Sequence, residues 1–199
     1  MTGAATRAPL PEEVRTERLV LRTWRPADVE ALAAAVTRNL GHLRPWMPWI
    51  AEEPLEPGAR LQLIDRWEQL RLAGDEVVLG IWQEGAAVGG TGLHRRAEPA
   101  ALEIGYWLDK DHQGRGIATE AASALTGAAF ERADTDRVEI VHDQANTRSG
   151  AVPARLGYRF DRQLARAAQS PGETGVECRW QVTRQEWATI HSRRDAATG

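Results

Sequence analysis

The stretch Ile104-Gly105-Tyr106-Trp107-Leu108-Asp109-Lys110-Asp111-His112-Gln113-Gly114-Arg115-Gly116-Ile117-Ala118-Thr119-Glu120 decides the fold. Its first residues read as a strand, its last residues open an alanine-rich helix, and two glycines stand in the turn between them. A helix that begins there leaves its first backbone N–H groups without intrahelical partners, at the positive end of the helix dipole. Gly114 and Gly116 remove the side chains that would hold a pyrophosphate away from the backbone, and Arg115 adds a fixed charge. The turn from Gln113 to Ala118, continued by Thr119, is therefore a candidate phosphate cradle.

Three phosphate-binding patterns compete for this turn. A Walker loop, G-x-x-x-x-G-K-[ST], fails because no lysine follows either glycine. A dinucleotide fingerprint, G-x-G-x-x-G/A, would need Gly or Ala where Thr119 stands, and the preceding strand belongs to a run of strands rather than opening a βαβ unit. The third pattern, Q/R-x-x-G-x-G/A, is met by Gln113, Gly116 and Ala118.

Outward from the turn, the chain alternates strands and helices. Arg18 to Thr23 reads as a strand, and Pro26 suits the first turn of a helix that keeps Val29, Leu32, Ala33, Val36 and Leu40 on one face up to Gly41. The segment His42 to Trp49 follows, with Pro45 and Pro48 breaking regular structure beside Trp46 and Trp49. Leu63, Ile64, Trp67 and Leu70 give a second amphipathic helix, with Arg66, Glu68 and Arg71 facing away and Gly74 closing it. Val77 to Gln83, Ala87 to His94 and Leu102 to Leu108 form an antiparallel meander punctuated by Glu84-Gly85 and Glu98-Pro99. Beyond the turn, Ile117, Ala121, Leu125, Ala128 and Ala129 make a helical stripe whose alanines allow close approach to a sheet. Val138 to Val141 is a strand, Ser149 to Leu156 a short helix, and Tyr158 to Ala165 with Val176 to Thr183 a hairpin. The class is mixed α/β.

Composition narrows the possibilities. The 199 residues suffice for one domain, here 15–191, with 1–14 and 192–199 as loose ends. With 25 basic and 28 acidic residues the formal net charge is −3, so no basic field draws the protein to nucleic acid or anionic lipid. One cysteine, Cys178, cannot form an intramolecular disulfide and leaves a zinc site without a second thiolate. The five histidines include no H-E-x-x-H, so no metal is expected. No apolar run approaches a membrane span and the first residues are not a secretory signal, so a cytoplasmic protein is expected. G-x-S-x-G is absent around Ser149, which disfavours a nucleophilic serine.

Five pieces together resemble the GNAT superfamily of acyl-coenzyme A dependent N-acyltransferases, in particular its RimJ/RimL-like branch, which includes ribosomal-protein N-terminal acetyltransferases. They are Thr16 to Arg22, His42 to Trp46, Glu103 to Leu108, the Gln113–Ala118 turn, and Asn146 to Ser149 leading to Leu156-Gly157-Tyr158. The resemblance implies a GNAT-like fold with a mostly antiparallel sheet of about seven strands, flanked by helices and splayed between its fourth and fifth strands. Acetyl-CoA would lie in that cleft as co-substrate, held by Gln113, Gly114, Arg115, Gly116, Ile117, Ala118 and Thr119. A backbone N–H near Trp107 or Leu108 would polarise the thioester carbonyl. The resemblance also implies Glu103 as general base, Ser149 near the departing sulfur, and Asn146 on the pantetheine region. Asn146 and Ser149 could equally cap the helix they open.

Trp46, Trp49, His94 and Tyr106 are the candidate acceptor-binding residues, the indoles as flat walls and His94 at a strand end near the cleft. Tyr158 follows a helix-ending glycine and reads as core. The expected activity is acetyl transfer to a primary amine, either a protein N-terminus or a small molecule, by direct attack in a ternary complex, in a monomer or homodimer. The alternative is a non-catalytic acyl-CoA binding or sensing module.

Overall fold

The structure, a computed structural model, describes residues 7–96 and 100–198, with side chains through residue 192. The expected Glu98-Pro99 break lies outside the described residues. One sheet contains eight strands: β1 (Glu13–Arg15), β2 (Val20–Thr23), β3 (Glu76–Gln83), β4 (Ala86–Arg95), β5 (Ala101–Leu108), β6 (Arg137–Asp143), β7 (Arg159–Ala165) and β8 (Val176–Thr183). Their spatial order is β1-β2-β3-β4-β5-β6-β8-β7. The helices are α1 (Val29–Leu43), α2 (Pro57–Ala73), α3 (Ile117–Phe130), α4 (Thr147–Leu156) and α5 (Arg184–Thr198).

Only β5 and β6 run parallel, because α3 is the crossover between them. Their ladder holds from Ala101↔Arg137 to Ile104↔Ile140 and then stops, so the strands part beyond Ile104. The sheet is thus splayed where expected, between the fourth strand read from the sequence and the next. An additional strand, β1, precedes them and raises the count from about seven to eight.

Each face of the sheet carries its own core. On one side Leu102, Ile104, Val138 and Ile140 meet Ile117, Ala121, Leu125 and Ala129 of α3, with Val152 and Leu156 of α4. Ala121, Ala122 and Ala129 are fully buried, and their small side chains let α3 lie close to the strands. Ala128 falls off this stripe and is half-buried. On the other side Trp24, Leu32, Val36, Leu43, Ile50 and Ile64 form a second core under α1 and α2, with Trp82 and Trp107 against it. The glycine-rich run in β4 serves that face. A β-carbon at Gly90 would lie 2.4 Å from Trp107 Nε1, so the missing side chain is what lets the indole rest on the strand.

Several expectations need correction. The N-terminal segment is not loose from residue 10 onward: Leu10 is buried in the main core, its N–H donates to the Arg71 carbonyl, and Glu13–Arg15 pairs with β2. Arg71 consequently turns inward, donating from Nη1 to the Leu10 carbonyl and from Nε and Nη2 to Glu68. A helical periodicity shows which residues share a face but not which strand will cross it. Helix α1 continues through Gly41 to Leu43, and the C-terminal end expected to be loose from 192 is helical through Thr198.

Candidate active site

A cleft of about 1630 Å³ opens where β5 and β6 part. Its walls come from the end of β5, the turn into α3, the start of α4, and the α1 end with the loop after it.

The turn is shaped by backbone sign. Gly114 and Gly116 have φ of +73° and +78°, and Gly116 stands as the N-cap of α3. A β-carbon at Gly114 would meet nothing within 4 Å, and one at Gly116 only Arg18 Nη2 at 3.6 Å. The space before both glycines is therefore open, and the first N–H groups of α3 face it. This is the cradle that a phosphate group needs, and the residues present fit one. Arg18 braces the turn, donating to the Arg115 carbonyl and pairing with Glu120, which also accepts from Thr16 Oγ1. On the other side buried Asn39 of α1 accepts from the Lys110 N–H and donates from Nδ2 to Asp109 at 2.9 Å. Burial alone would raise the Asp109 pKa, but the bonds from Asn39, the Asp111 N–H and His112 outweigh it and bring it to about 2.

At the parted edge, strand alternation selects the exposed N–H groups. The Asp109 N–H donates to the Val88 carbonyl on β4. Trp107, two residues back, must turn its N–H the same way, so the N–H groups of Tyr106 and Leu108 point into the gap. Of the two expected carbonyl-polarising positions, the geometry favours Leu108.

Tyr106 crosses the cleft floor from β5 to α4. Its hydroxyl donates to the Ser149 carbonyl at 2.9 Å and accepts from Ser149 Oγ at 3.2 Å. Burial, opposed by the Ser149 bond, pushes the phenol up to about 12, so it stays protonated. Asn146 caps α4, its Oδ1 accepting the Ser149 N–H at 3.2 Å. Behind it Asp143 anchors the approach, taking N–H bonds from Ala145, Thr174 and Gly175. Burial would raise its pKa, yet those bonds hold it at about 2.

Gln113 does not point at the cradle. Its Oε1 accepts from Arg148 Nη1 at 2.8 Å, which leaves its amide Nε2 to donate to His42 Nε2. Gln113 thereby ties α1 to α4 across the cleft. Burial, reinforced by Arg148 and opposed by Asp109, lowers the His42 pKa, and the Gln113 bond requires its proton on Nδ1.

Tyr106, Trp107, Leu108, Gln113, Gly114, Gly116, Ile117, Ala118, Thr119, Asn146, Ser149 and Trp46 all line the cleft. Arg115, Glu103, His94 and Trp49 do not. The Arg115 side chain is exposed outside it. Glu103 sits on the other face of β5 from Tyr106, where Oε1 accepts from Arg96 Nε and Nη2 at 3.2 Å each. His94 faces Glu103 across the β4–β5 ladder. Trp49 packs on Trp107 with ring centroids 6.2 Å apart. The loop bearing these indoles is more regular than its prolines suggest: Pro48–Glu52 is a 3-10 turn pinned by buried Ile50. Tyr158 is core, its hydroxyl 2.7 Å from Thr126 Oγ1.

His42, Arg148, Thr16 and Met47 also line the cleft and were not singled out as site residues. Arg148 stood within the Asn146–Ser149 piece and could have been read as a cation beside the cradle. His42 stood within the His42–Trp46 piece, but nothing local marked it as a cleft residue, because its partner Gln113 is 71 positions away. Among the described residues no group of three or more His, Cys, Asp and Glu is placed to hold a metal, and no helix is long and apolar enough to cross a membrane.

The acetyltransferase (GNAT) domain family matches residues 18–159. A protein of Bacillus subtilis (strain 168), provisionally named ribosomal N-acetyltransferase YdaF, is 32% identical over 144 residues, covering 71% of this chain and 78% of that protein. The ribosomal-protein-serine acetyltransferase of Escherichia coli (strain K12) is 27% identical over 154 residues, covering 76% and 85%. The solved structure of RimL, a ribosomal L7/L12 alpha-N-protein acetyltransferase in complex with coenzyme A, superposes with a TM-score of 0.79 over 86% of this chain and 98% of that one; at 23% identity it shows the fold. With the family's domain spanning both sides of the parted strands and the turn between them, this chain belongs to the GNAT acetyltransferase family.

Proposed function

We propose that the protein transfers an acetyl group from acetyl-CoA to the α-amine of a protein or peptide N-terminus, by direct attack in a ternary complex. The observation that carries this reading is the open glycine turn at the head of α3, lying in one cleft with the parted edge of β5. When bound, acetyl-CoA supplies an activated acetyl thioester. The N-terminal amides of α3 hold its pyrophosphate, and Arg148 and Lys110 add positive charge on the cleft wall. The Leu108 N–H accommodates negative charge on the carbonyl oxygen during attack. Ser149 Oγ, whose one proton goes to the Tyr106 hydroxyl in this structure, would rotate to donate it to the departing sulfur. Trp46 and Met47 form an apolar wall at the acceptor end of the cleft.

The choice of a protein N-terminus over a small amine draws support from the relatives named for ribosomal proteins. Thiol release from acetyl-CoA, measured with short peptides beginning in serine or alanine and with small amines, tests the reading. Turnover with peptides having a free α-amine is expected, together with none for the same peptides blocked at the N-terminus. Turnover confined to small amines would move the acceptor assignment, and binding of acetyl-CoA without thiol release would favour a sensing module.

A further inference from the structure

We propose that His94, oriented by Glu76, is the general base of the acetyl transfer and that Glu103 is not. The inference rests on the transfer reaction proposed above. The three groups lie in one row across the sheet, Glu76 on β3 opposite His94 on β4, and His94 opposite Glu103 on β5. They share the face that carries α1 and α2, away from Tyr106.

The imidazole leans along its strand toward the splay. A β-carbon at Gly92 would lie 3.0 Å from His94 Nε2 and one at Gly105 3.3 Å from the same atom, so the ring occupies the room those two glycines leave. Gly105 is the first residue of β5 beyond the last pair of the β5–β6 ladder. From Gly105 to Leu108, whose N–H would meet the acyl carbonyl, is three residues, or about 10 Å along the strand, a span that a short chain of waters covers. His94 Nε2 therefore faces the point where β5 and β6 separate, from the side opposite the Tyr106–Ser149 pair.

Glu76 defines the tautomer. Its Oε2 is 2.9 Å from His94 Nδ1, a buried atom with no other partner. The carboxylate lies off the axis of a well-aligned hydrogen bond, so the contact is chiefly electrostatic, and it favours the proton on Nδ1 and a lone pair on Nε2. Glu103 is differently placed, with Arg96 holding one of its oxygens through two guanidinium nitrogens. Both bonds engage the lone pairs of that oxygen, which is thereby turned toward the guanidinium. The charged groups around the ring are Glu76 and Glu103 from the flanking strands, Arg96 just beyond β4, and Arg66 of α2, which acts on Glu76 together with Arg96.

The proton balance is simple. An acceptor R–NH3+ loses one proton through bridging water to His94 Nε2, and the free amine forms the C–N bond as the C–S bond breaks. The second proton, left on nitrogen after attack, goes to the departing thiolate. His94 returns its own proton to solvent.

Kinetics with a peptide acceptor and a tautomer measurement test this together. In the wild type, kcat/KM should show an acid limb from the loss of the free base. His94→Gln, which nearly keeps the volume, should remove that limb and lower kcat by about 10²- to 10⁴-fold, with the acetyl-CoA KM and thermal midpoint unchanged. Glu76→Gln should lower kcat by about 10- to 100-fold. Imidazole in solution should restore part of the activity of His94→Ala, which a purely structural role would not allow. Independently of turnover, two-bond 1H–15N correlations should show His94 protonated on Nδ1 at neutral pH. Retention of the limb in His94→Gln with its loss in Glu103→Gln, or an Nε2–H tautomer, would overturn the assignment. A wild type without thiol release for any acceptor would instead count against the transfer reaction, and the tautomer would still decide the dyad.

Discussion

The two walls of the cleft do their work with different parts of the chain. The turn from Gln113 to Ala118 presents main chain: two glycines at positive φ, open space before them, and helix N–H groups aimed into it. The opposite wall, from His42 to Trp49, presents side chains: His42 tied to Gln113, Trp46 and Met47 facing the cleft, and Trp49 braced on Trp107. A wall made of backbone is damaged by adding atoms, whereas a wall made of side chains is damaged by removing them.

The largest expected effect adds atoms to the first wall. Gly116→Val places a β-branched side chain at φ +78°, in the space a phosphate would occupy. Calorimetry should show acetyl-CoA binding about 100-fold weaker or worse, equivalent to about 2.7 kcal/mol. Arg115→Ala, outside the cleft, is the control and should change affinity less than about threefold. Unchanged binding in folded Gly116→Val would mean that the phosphate lies elsewhere.

The contrast between the walls also explains what could be read without coordinates. The turn was legible because its chemistry is local: glycine spacing and a helix start sit within six residues. The order of elements from β2 to β8 was legible for the same reason, from periodicity and turn residues. β1 was not, because Glu13–Arg15 is too short to show alternation and becomes a strand only by pairing with β2. Nor were Gln113's two partners, His42 and Arg148, which meet it only through the tertiary fold. Glu103 shows the limit most clearly: its position in the strand was evident, but strand alternation sends its carboxylate to the face opposite Tyr106, where Arg96 holds it.

Removing a side-chain atom at the junction of the walls should have the next largest effect. Ser149→Ala deletes the hydroxyl that Tyr106 orients and should lower kcat by about 10- to 100-fold while leaving the acetyl-CoA affinity intact. Steady-state kinetics and calorimetry on one preparation separate the two quantities. A matching loss of affinity would make Ser149 a binding residue.

The two indoles should differ from each other. Trp46→Ala removes cleft wall and should raise the acceptor KM by about tenfold without moving the acetyl-CoA KM. Trp49→Ala removes the partner of Trp107 and should cost about 1 kcal/mol, lowering the thermal midpoint by about 2–4 °C. The same outcome for both variants would erase the distinction between wall and brace.

The smallest effect is on acid stability. Asp109 and Asp143 titrate at about 2, against 3.8 for an unperturbed carboxyl, because their bonds favour the charged form. Each contribution is therefore fully present above pH 3.8 and is lost as pH falls toward 2; at neutral pH it is about 2 kcal/mol per group. Asp109→Asn should lower neutral-pH stability in urea melts and flatten the decline between pH 4 and 2. An unchanged slope there would show that Asp109 does not hold the turn against α1.

Amide hydrogen exchange with and without acetyl-CoA tests the central claim most directly, since the proposed hold on the donor is made by backbone N–H groups. Binding should slow exchange at Ile117, Ala118 and Thr119 and at Leu108, and leave the amides of Glu76 and His94 unchanged. Tight binding that leaves the first turn of α3 and the end of β5 exchanging as before would contradict the account.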